Sequence, residues 1–246
     1  MKQMTGLAER VAIITGGGTG IGRAIASTMA ALGAHVVVCG RRADIVTSLA
    51  REATATGLTM RSVVADVSVE ADVERVVAEA YDSYGAVDIL VNNAGVFENG
   101  AIHEHDVDAW DRVMAVNLRG PFLMSRAVLP IMRAQARGHI VNISSEAGIE
   151  HYPTNGAYGV SKHALNALGE YIQRENQDLG IKVNTICPGV VLTDMNDAFG
   201  TVEPANCLVP EDIAELVLWL VTRRDTIKIG TPVLMQTMRN PWRAEG

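Results

Sequence analysis

Tyr158 and Lys162 stand four positions apart in the stretch YGVSK, with only small residues between them. On a helix, residues at i and i+4 are neighbours on one face, so a phenol and an ammonium would point the same way, one turn apart. A free tyrosine, with a pKa near 10, is a weak acid and a weaker base at neutral pH. A cation beside it favours the phenolate and brings that pKa toward the range where proton transfer is efficient. The pair is therefore a candidate proton-transfer device, although the same spacing also suits an ordinary helix with a half-buried ring and a solvated ammonium.

A second candidate is TGGGTGIG, residues 15–22, which follows a short apolar run and leads into RAIASTMAALG. In a strand–glycine turn–helix context, backbone N–H groups at the helix N-terminus face an anion, and missing side chains let a pyrophosphate approach. The glycines at 16, 18, 20 and 22 do not fit the G-x-G-x-x-G template, whose last glycine would fall on Ile21. A P-loop is excluded because no G-K-[ST] follows. Close packing of a helix on a strand would use the same glycines. HEH at 103–105 is an incomplete ligand set better explained as a solvated loop, so no metal site is expected.

The elements that must position these residues are legible as a rhythm. RVAIIT (10–15), HVVVCG (35–40), MRSVVA (60–65), VDILVN (87–92), GHIVNIS (138–144) and IKVNTIC (181–187) alternate with amphipathic stretches of helical length. Near-continuous apolar runs of this kind predict parallel strands buried on both faces, with helices on each side. Residues 193–209 read as a loop before PEDIAELVLWLV, which starts a helix with proline in its first turn. With 246 residues, 48% hydrophobic and 20% charged, the chain suits one large α/β domain. A net charge of −7 and the lack of a basic stripe argue against nucleic acid or an anionic membrane as partner. Cys39, Cys187 and Cys207 are too far apart for metal spacing or a disulfide framework, which fits a reducing cytoplasm. No apolar run reaches the length of a membrane span, and no signal-peptide pattern opens the chain.

The motifs together resemble the short-chain dehydrogenase/reductase family over most of the chain. The T-G-x-x-x-G-x-G turn is met by Thr15, Gly16, Gly20 and Gly22, and N-N-A-G by Asn92, Asn93, Ala94 and Gly95. Asn117 lies in VNLRG, Ser145 precedes the tyrosine by 13 positions, Y-x-x-x-K is Tyr158 and Lys162, and the P-G turn is Pro188 and Gly189, followed by Val191 and Thr193. The resemblance implies a Rossmann-type doubly wound parallel sheet in three αβα layers. It also implies a single domain over 1–246, with a cofactor half to about 137 and a catalytic and substrate half from about 138. The implied chemistry is hydride transfer between a nicotinamide cofactor and a small to medium ketone or secondary alcohol. Tyr158 would exchange the proton, Ser145 would hydrogen-bond the reacting oxygen, Lys162 would tune Tyr158 and hold the nicotinamide ribose, and Asn117 would support a proton relay. Gly18, Thr19, Ile21, Asp66 and Val67 join the implied cofactor contacts. Ser145, Ala147, His151, Asn155, Tyr158 and Met195 border the implied substrate cleft, where Glu98, Glu146 and Glu150 add polarity that either a polar substrate or solvent explains. Residues 194–208 would close over the substrate.

An NAD-binding unit usually has an acidic residue at the end of its second strand, to bind the adenosine ribose. Here that place is Gly40, followed by Arg41 and Arg42, which favours NADP(H) over NAD(H), with Arg41 the better phosphate ligand. Thr19 dissents, because many NADP-binding relatives have a basic residue inside the glycine turn. The end of the chain, TPVLMQTMRNPWRAEG, holds the expected last strand, 231–236, but lacks the family's V-D-G-G turn and with it one tetramer contact. The long helices expected near 107 and from Tyr158 leave a homodimer or homotetramer open. Trp110, Trp219 and Trp242 read as packing or interface residues. A catalytically silent dinucleotide sensor of the same fold is the alternative. An epimerase or dehydratase of the extended relatives needs a larger carboxy-terminal region than follows Thr193.

Overall fold

The apolar runs become seven parallel strands of one sheet in a computed structural model that describes residues 7–195, 201–224 and 226–242. The strands are β1 Val11–Thr15, β2 His35–Gly40, β3 Met60–Val64, β4 Ile89–Asn92, β5 Gly138–Ile143, β6 Ile181–Pro188 and β7 Val233–Met235, in the order β3-β2-β1-β4-β5-β6-β7. Helices α1 Gly20–Ala31, α2 Ala43–Ala55, α3 Glu70–Tyr84, α4 Val107–Met114, α5 Gly120–Gln135, α6 Gly156–Asn176 and α7 Pro210–Val221 alternate with them.

Period-two alternation divides the inner strands β1, β2, β4, β5 and β6 between two cores. Ala12 and Ile14 of β1 join Val36, Val38 and Val141 beneath Ile25 and Met29 of α1 and Ile213 and Val217 of α7. Val11 and Ile13 join Val37, Leu90 and Ile140 against Val76 of α3 and Met124 and Val128 of α5. Both faces are therefore dry, which is why the runs are continuously apolar. The strands agree with the sequence expectation to within about two residues, except the last. Of 231–236 only three residues pair, because β7 is the sheet's outer strand and meets β6 only from Ile186 to Pro188.

The strand order reverses at β1, which lies between β2 and β4. Such a switch point opens a crevice beyond the carboxyl ends of the strands. The glycine turn after β1 and the N-N-A-G turn after β4 both sit there. The expected long helix from 107 is not uniform: between α4 and α5 the hydrogen bonds widen to a π-helical turn, Ala115–Arg119. Asn117 is on that turn. π-Turns recur at functional sites because the extra residue redirects a side chain. No helix among the described residues is long and apolar enough to cross a membrane.

Candidate active site

The two turns at the switch point are tied to one another by side chains. Thr15, buried at the end of β1, accepts hydrogen bonds at Oγ1 from the N–H groups of Asn93 and Ala94, both at 3.0 Å. Asn93 Nδ2 donates back to the carbonyls of Thr15 at 2.9 Å and Gly16 at 3.2 Å. Gly22 has to be glycine, since a Cβ there would lie 2.3 Å from the Gly16 carbonyl oxygen and 2.5 Å from Asn93 Nδ2. Thr15 and Gly22, expected as cofactor contacts, therefore build the cradle from behind and do not line it. Gly16, at φ +61°, would set a Cβ 2.9 Å from the Ala94 backbone.

The cradle opens into a cleft of about 640 Å³ lined by Gly16, Gly18, Thr19, Gly20, Ile21, Gly40, Arg41, Arg42, Asp66, Val67, Asn93, Ala94 and Gly95, with Tyr158, Lys162 and Thr193 at its far end. Backbone N–H groups at the start of α1, missing side chains and two guanidinium groups fit a dinucleotide pyrophosphate and a further phosphate. Arg42 Nη2 donates to Thr19 Oγ1 at 3.0 Å, whereas Arg41 faces Asp66 at 3.9 Å. The sequence reading places both arginines at the cofactor and ranks Arg41 first. In the structure it is Arg42 that brings a cation onto the glycine turn, at the place where Thr19 lacks one.

The four residues expected to be catalytic converge at the far end of the cleft. α6 carries Tyr158 and Lys162 on one face, as the i, i+4 spacing requires, with Lys162 Nζ 5.5 Å from the centre of the Tyr158 ring. Lys162 Nζ donates to the Ile143 carbonyl at 2.9 Å, and Ser144 Oγ donates to the Lys162 carbonyl at 3.2 Å, which locks α6 to the end of β5. Asn117 is held at both ends: its Oδ1 accepts from Val96 N–H at 2.8 Å, and its Nδ2 donates to the Val96 carbonyl at 2.8 Å and to Ser161 Oγ at 3.1 Å. Gly95 keeps the space between Asn117 and Lys162 open, since a Cβ there would lie 3.5 Å from Asn117 Oδ1 and 3.6 Å from Lys162 Nζ. Ser145 opens a single 3₁₀ turn after β5, and its Oγ accepts from Ala147 N–H at 3.2 Å.

Burial rules the electrostatics of this end. Tyr158 is only 7% exposed and Lys162 4%. Desolvation pushes the Tyr158 phenol up to about 12, against a smaller lowering from its hydrogen bond with Ser145. The same desolvation brings the Lys162 ammonium down to about 8. The expected lowering of the tyrosine by the lysine is not found: burial holds the phenol up, and the ammonium is bonded to the Ile143 carbonyl. As it stands, Tyr158 is an acid that holds its proton and Lys162 a cation poised to lose one.

A second cavity of about 420 Å³ meets the first at Ser144, Tyr158 and Thr193. Phe97, packed edge-on at 5.2 Å against the Tyr158 ring, lines both. Of the expected substrate residues, Ser145, Ala147, Asn155, Tyr158 and Met195 line this second cavity. His151 does not: it is exposed, and its ring lies tilted against that of His163 of α6 at 4.9 Å between ring centres. Pro188, Gly189 and Val191, expected at the cofactor, line the second cavity. Glu98 lines the dinucleotide cleft, where Arg112 pairs with it. Tyr152, Pro153 and Trp242 are not expected there from the sequence. Trp242 arrives through backbone bonds, such as Glu203 N–H to the Pro241 carbonyl at 2.7 Å, which leave no mark in residue types. The expected lid, 194–208, is described only in part, since 196–200 lie outside the described residues; Leu208 is held by Val190 and Leu192 through backbone bonds. The residues of HEH separate, His105 packing on Trp110 while His103 faces Glu104 in solvent, and no metal-binding cluster occurs among the described residues.

The chain is similar to known proteins over most of its length. The chain is 32% identical over 227 residues to an uncharacterized oxidoreductase of Staphylococcus aureus, covering 92% of this chain and 97% of the relative. An uncharacterized oxidoreductase of Staphylococcus epidermidis matches at the same identity over the same share of each chain. A metagenomic short-chain oxidoreductase crystallised in complex with NADP superposes with a TM-score of 0.83 at 33% identity, over 95% of this chain and 99% of that one. The short chain dehydrogenase pattern itself matches residues 10–203, a span that takes in both turns of the cradle and the Tyr158–Lys162 helix, and the chain belongs to that family.

Proposed function

We propose that this oxidoreductase is a carbonyl reductase or alcohol dehydrogenase that uses NADP(H) in preference to NAD(H) and acts on a small to medium ketone or secondary alcohol. The observation that carries the reading is the junction itself: Ser145, Tyr158 and Lys162 line the cavities where a glycine-built dinucleotide cleft meets a more apolar cavity, with Asn117 bonded behind them through Ser161. When bound, a nicotinamide in the first cleft would supply or accept hydride. The residues of this chain do the rest. Tyr158 gives its proton to the carbonyl oxygen as negative charge develops there, or takes it back from an alcohol. Ser145 donates a hydrogen bond to the same oxygen. Lys162 keeps a positive charge behind the tyrosine as the phenolate forms, and Asn117, through Ser161, holds the helix turn that carries both. The bound NADP of the metagenomic relative, Gly40 in place of a carboxylate, and Arg42 on Thr19 all support the phosphate-bearing cofactor. Phe122 and Tyr171, exposed on α5 and α6, suit a homodimer built on those helices.

The test is NADPH oxidation, followed at 340 nm, with a panel of ketones. Tyr158→Phe should lower turnover by about 10²- to 10⁴-fold while cofactor affinity stays near normal, because the ring still packs on Phe97 and only the transferable proton is gone. Retention of more than about a tenth of the rate with chemistry limiting removes Tyr158 from the acid role.

A further inference from the structure

Resting on that carbonyl or alcohol reading, we infer that the substrate carries a protonated amine, received by the carboxylate of Glu146 while its apolar body lies against Trp242. Glu146 directly follows Ser145 and lines the second cavity. Its Oε2 accepts from Gln236 Nε2 at 2.6 Å, and the Tyr152 hydroxyl is hydrogen-bonded to the same carboxylate. Gly189 makes the room, since a Cβ there would lie 3.0 Å from Glu146 Oε2 and 3.2 Å from Gln236 Cγ. A tyrosine of the same segment and a glutamine from the far end of the chain therefore aim one carboxylate with two neutral donors. Neither donor neutralises its charge, and a carboxylate can accept about four hydrogen bonds.

The rest of the cavity wall sharpens the choice of ligand. Glu146 is the one charged side chain among the described residues that line it. No cationic side chain among the described lining residues faces it, and Phe97, Pro153, Val191, Met195 and Trp242 are apolar, so a bound neutral substrate that expels water would leave the carboxylate without a counter-charge. A cationic substrate removes that cost and an anionic one adds to it. The charge of Glu146 also contributes to holding the Tyr158 phenol up, so an ammonium beside Glu146 would ease proton transfer from Tyr158.

Trp242 is placed for the apolar part. Its segment is strapped to residues 202–206 by an antiparallel bridge to Val202 and by bonds from Glu203 N–H to the Pro241 carbonyl and from Asn206 Nδ2 to the Asn240 carbonyl, at 2.7 and 3.0 Å. Its indole remains 38% exposed at the cavity rim. An aromatic face in that position receives a flat or aliphatic body and also favours a nearby cation. A cavity of about 420 Å³ suits such a compound.

The experiment uses one ketone skeleton ending in an ammonium, a hydroxyl, a methyl or a carboxylate, with NADPH, on the full chain and on Glu146→Gln. The expected kcat/KM is at least tenfold higher for the amine than for the methyl ketone and lowest for the carboxylate. In Glu146→Gln the amine-to-methyl ratio should fall about 10- to 100-fold, the worth of one charge-assisted bond. Trp242→Ala should raise KM for the whole series by roughly tenfold, with kcat affected less. Calorimetric binding of the amine and its methyl analogue to NADPH-loaded Tyr158→Phe, with and without Glu146→Gln, reads the same preference without turnover. An amine-to-methyl binding ratio near one, or a ratio unchanged by Glu146→Gln, overturns the inference. An intact binding preference without reduction of any ketone upholds the amine site and overturns the activity reading instead.

Discussion

The two cavities that meet at Tyr158 are built by different means. At the glycine-turn end, Thr15 and Asn93 knit two adjacent turns with four short bonds, and Gly16 and Gly22 let backbones touch. At the apolar end the walls come from 146–155, 188–195 and 242, joined by bonds between segments far apart in the chain. The first construction serves any ligand with the same phosphate backbone, so it tolerates little change. The second can be remodelled by substituting side chains on a fixed frame, which is what a family with one cofactor type and many substrates needs. The contrast predicts that changes at the first end damage stability and cofactor affinity together, while changes at the second shift substrate preference.

The largest break in that contrast should come from Gly22→Ala. A methyl 2.3 Å from a carbonyl oxygen has to move the Gly16 turn or the Asn93 side chain. Overpacking of this kind costs about 1 to 3 kcal/mol, and here the displaced atoms are the cradle itself. Thermal unfolding should show a clear drop, and the KM for NADPH should rise by more than roughly tenfold with the ketone KM less affected. Normal cofactor KM in a destabilised variant would mean that the turn is structural and not part of the site.

Next in size is the phosphate end of the same cleft. Arg42→Ala should lower kcat/KM with NADPH by about 10- to 100-fold and leave the value with NADH nearly unchanged, since a charge-assisted bond is worth about 1.5 to 3 kcal/mol. Arg41→Ala should do less, because Arg41 already faces Asp66. A larger loss from Arg41 than from Arg42 would restore the order read from the sequence, and equal use of both cofactors by the unmodified protein would remove the phosphate role from both.

That ranking of two neighbouring arginines shows where sequence reading stops. The strands were legible because burial on both faces writes itself as unbroken runs such as VAIIT, and the cradle because backbone contact permits only glycine at positions such as Gly22. The Tyr158–Lys162 pair was legible because helical geometry alone makes the two neighbours. Arg42 was not, since its reach to Thr19 depends on how the chain leaves β2 for α2. The π-turn at Asn117 leaves the residue types unchanged and alters only the hydrogen-bond spacing. Trp242 and Gln236 enter through contacts with residues 203 and 146, and pairings at that separation carry no periodic signal. The polarity of the Tyr158–Lys162 pair was misread in one respect: proximity predicts a lowered phenol, but burial prevails.

The smallest effect on stability should fall on the seam between the two ends, at Lys162. Burial lowers its ammonium from 10.5 to about 8, so at neutral pH the folded chain carries a charge that desolvation opposes by about 3 kcal/mol. The bond from Lys162 to the Ile143 carbonyl offsets part of this, and its loss would cost roughly 2 kcal/mol. Lys162→Met, which keeps the stem and drops the charge, should therefore leave the protein about 1 kcal/mol more stable at pH 7 while nearly silencing it. Between pH 8 and 10.5 the unfolded chain binds the lysine proton and the folded chain releases it, so the stability of the unmodified protein rises through that window relative to the variant. In the folded protein Tyr158, pushed up to about 12 by burial, keeps its proton through that window. Urea unfolding of the pair at pH 7, 8, 9 and 10 should show the variant's advantage shrinking as pH rises. An advantage that is constant or growing with pH would mean that Lys162 keeps an ordinary proton affinity, and that the charge behind Tyr158 is held in place by the fold at no cost to its stability.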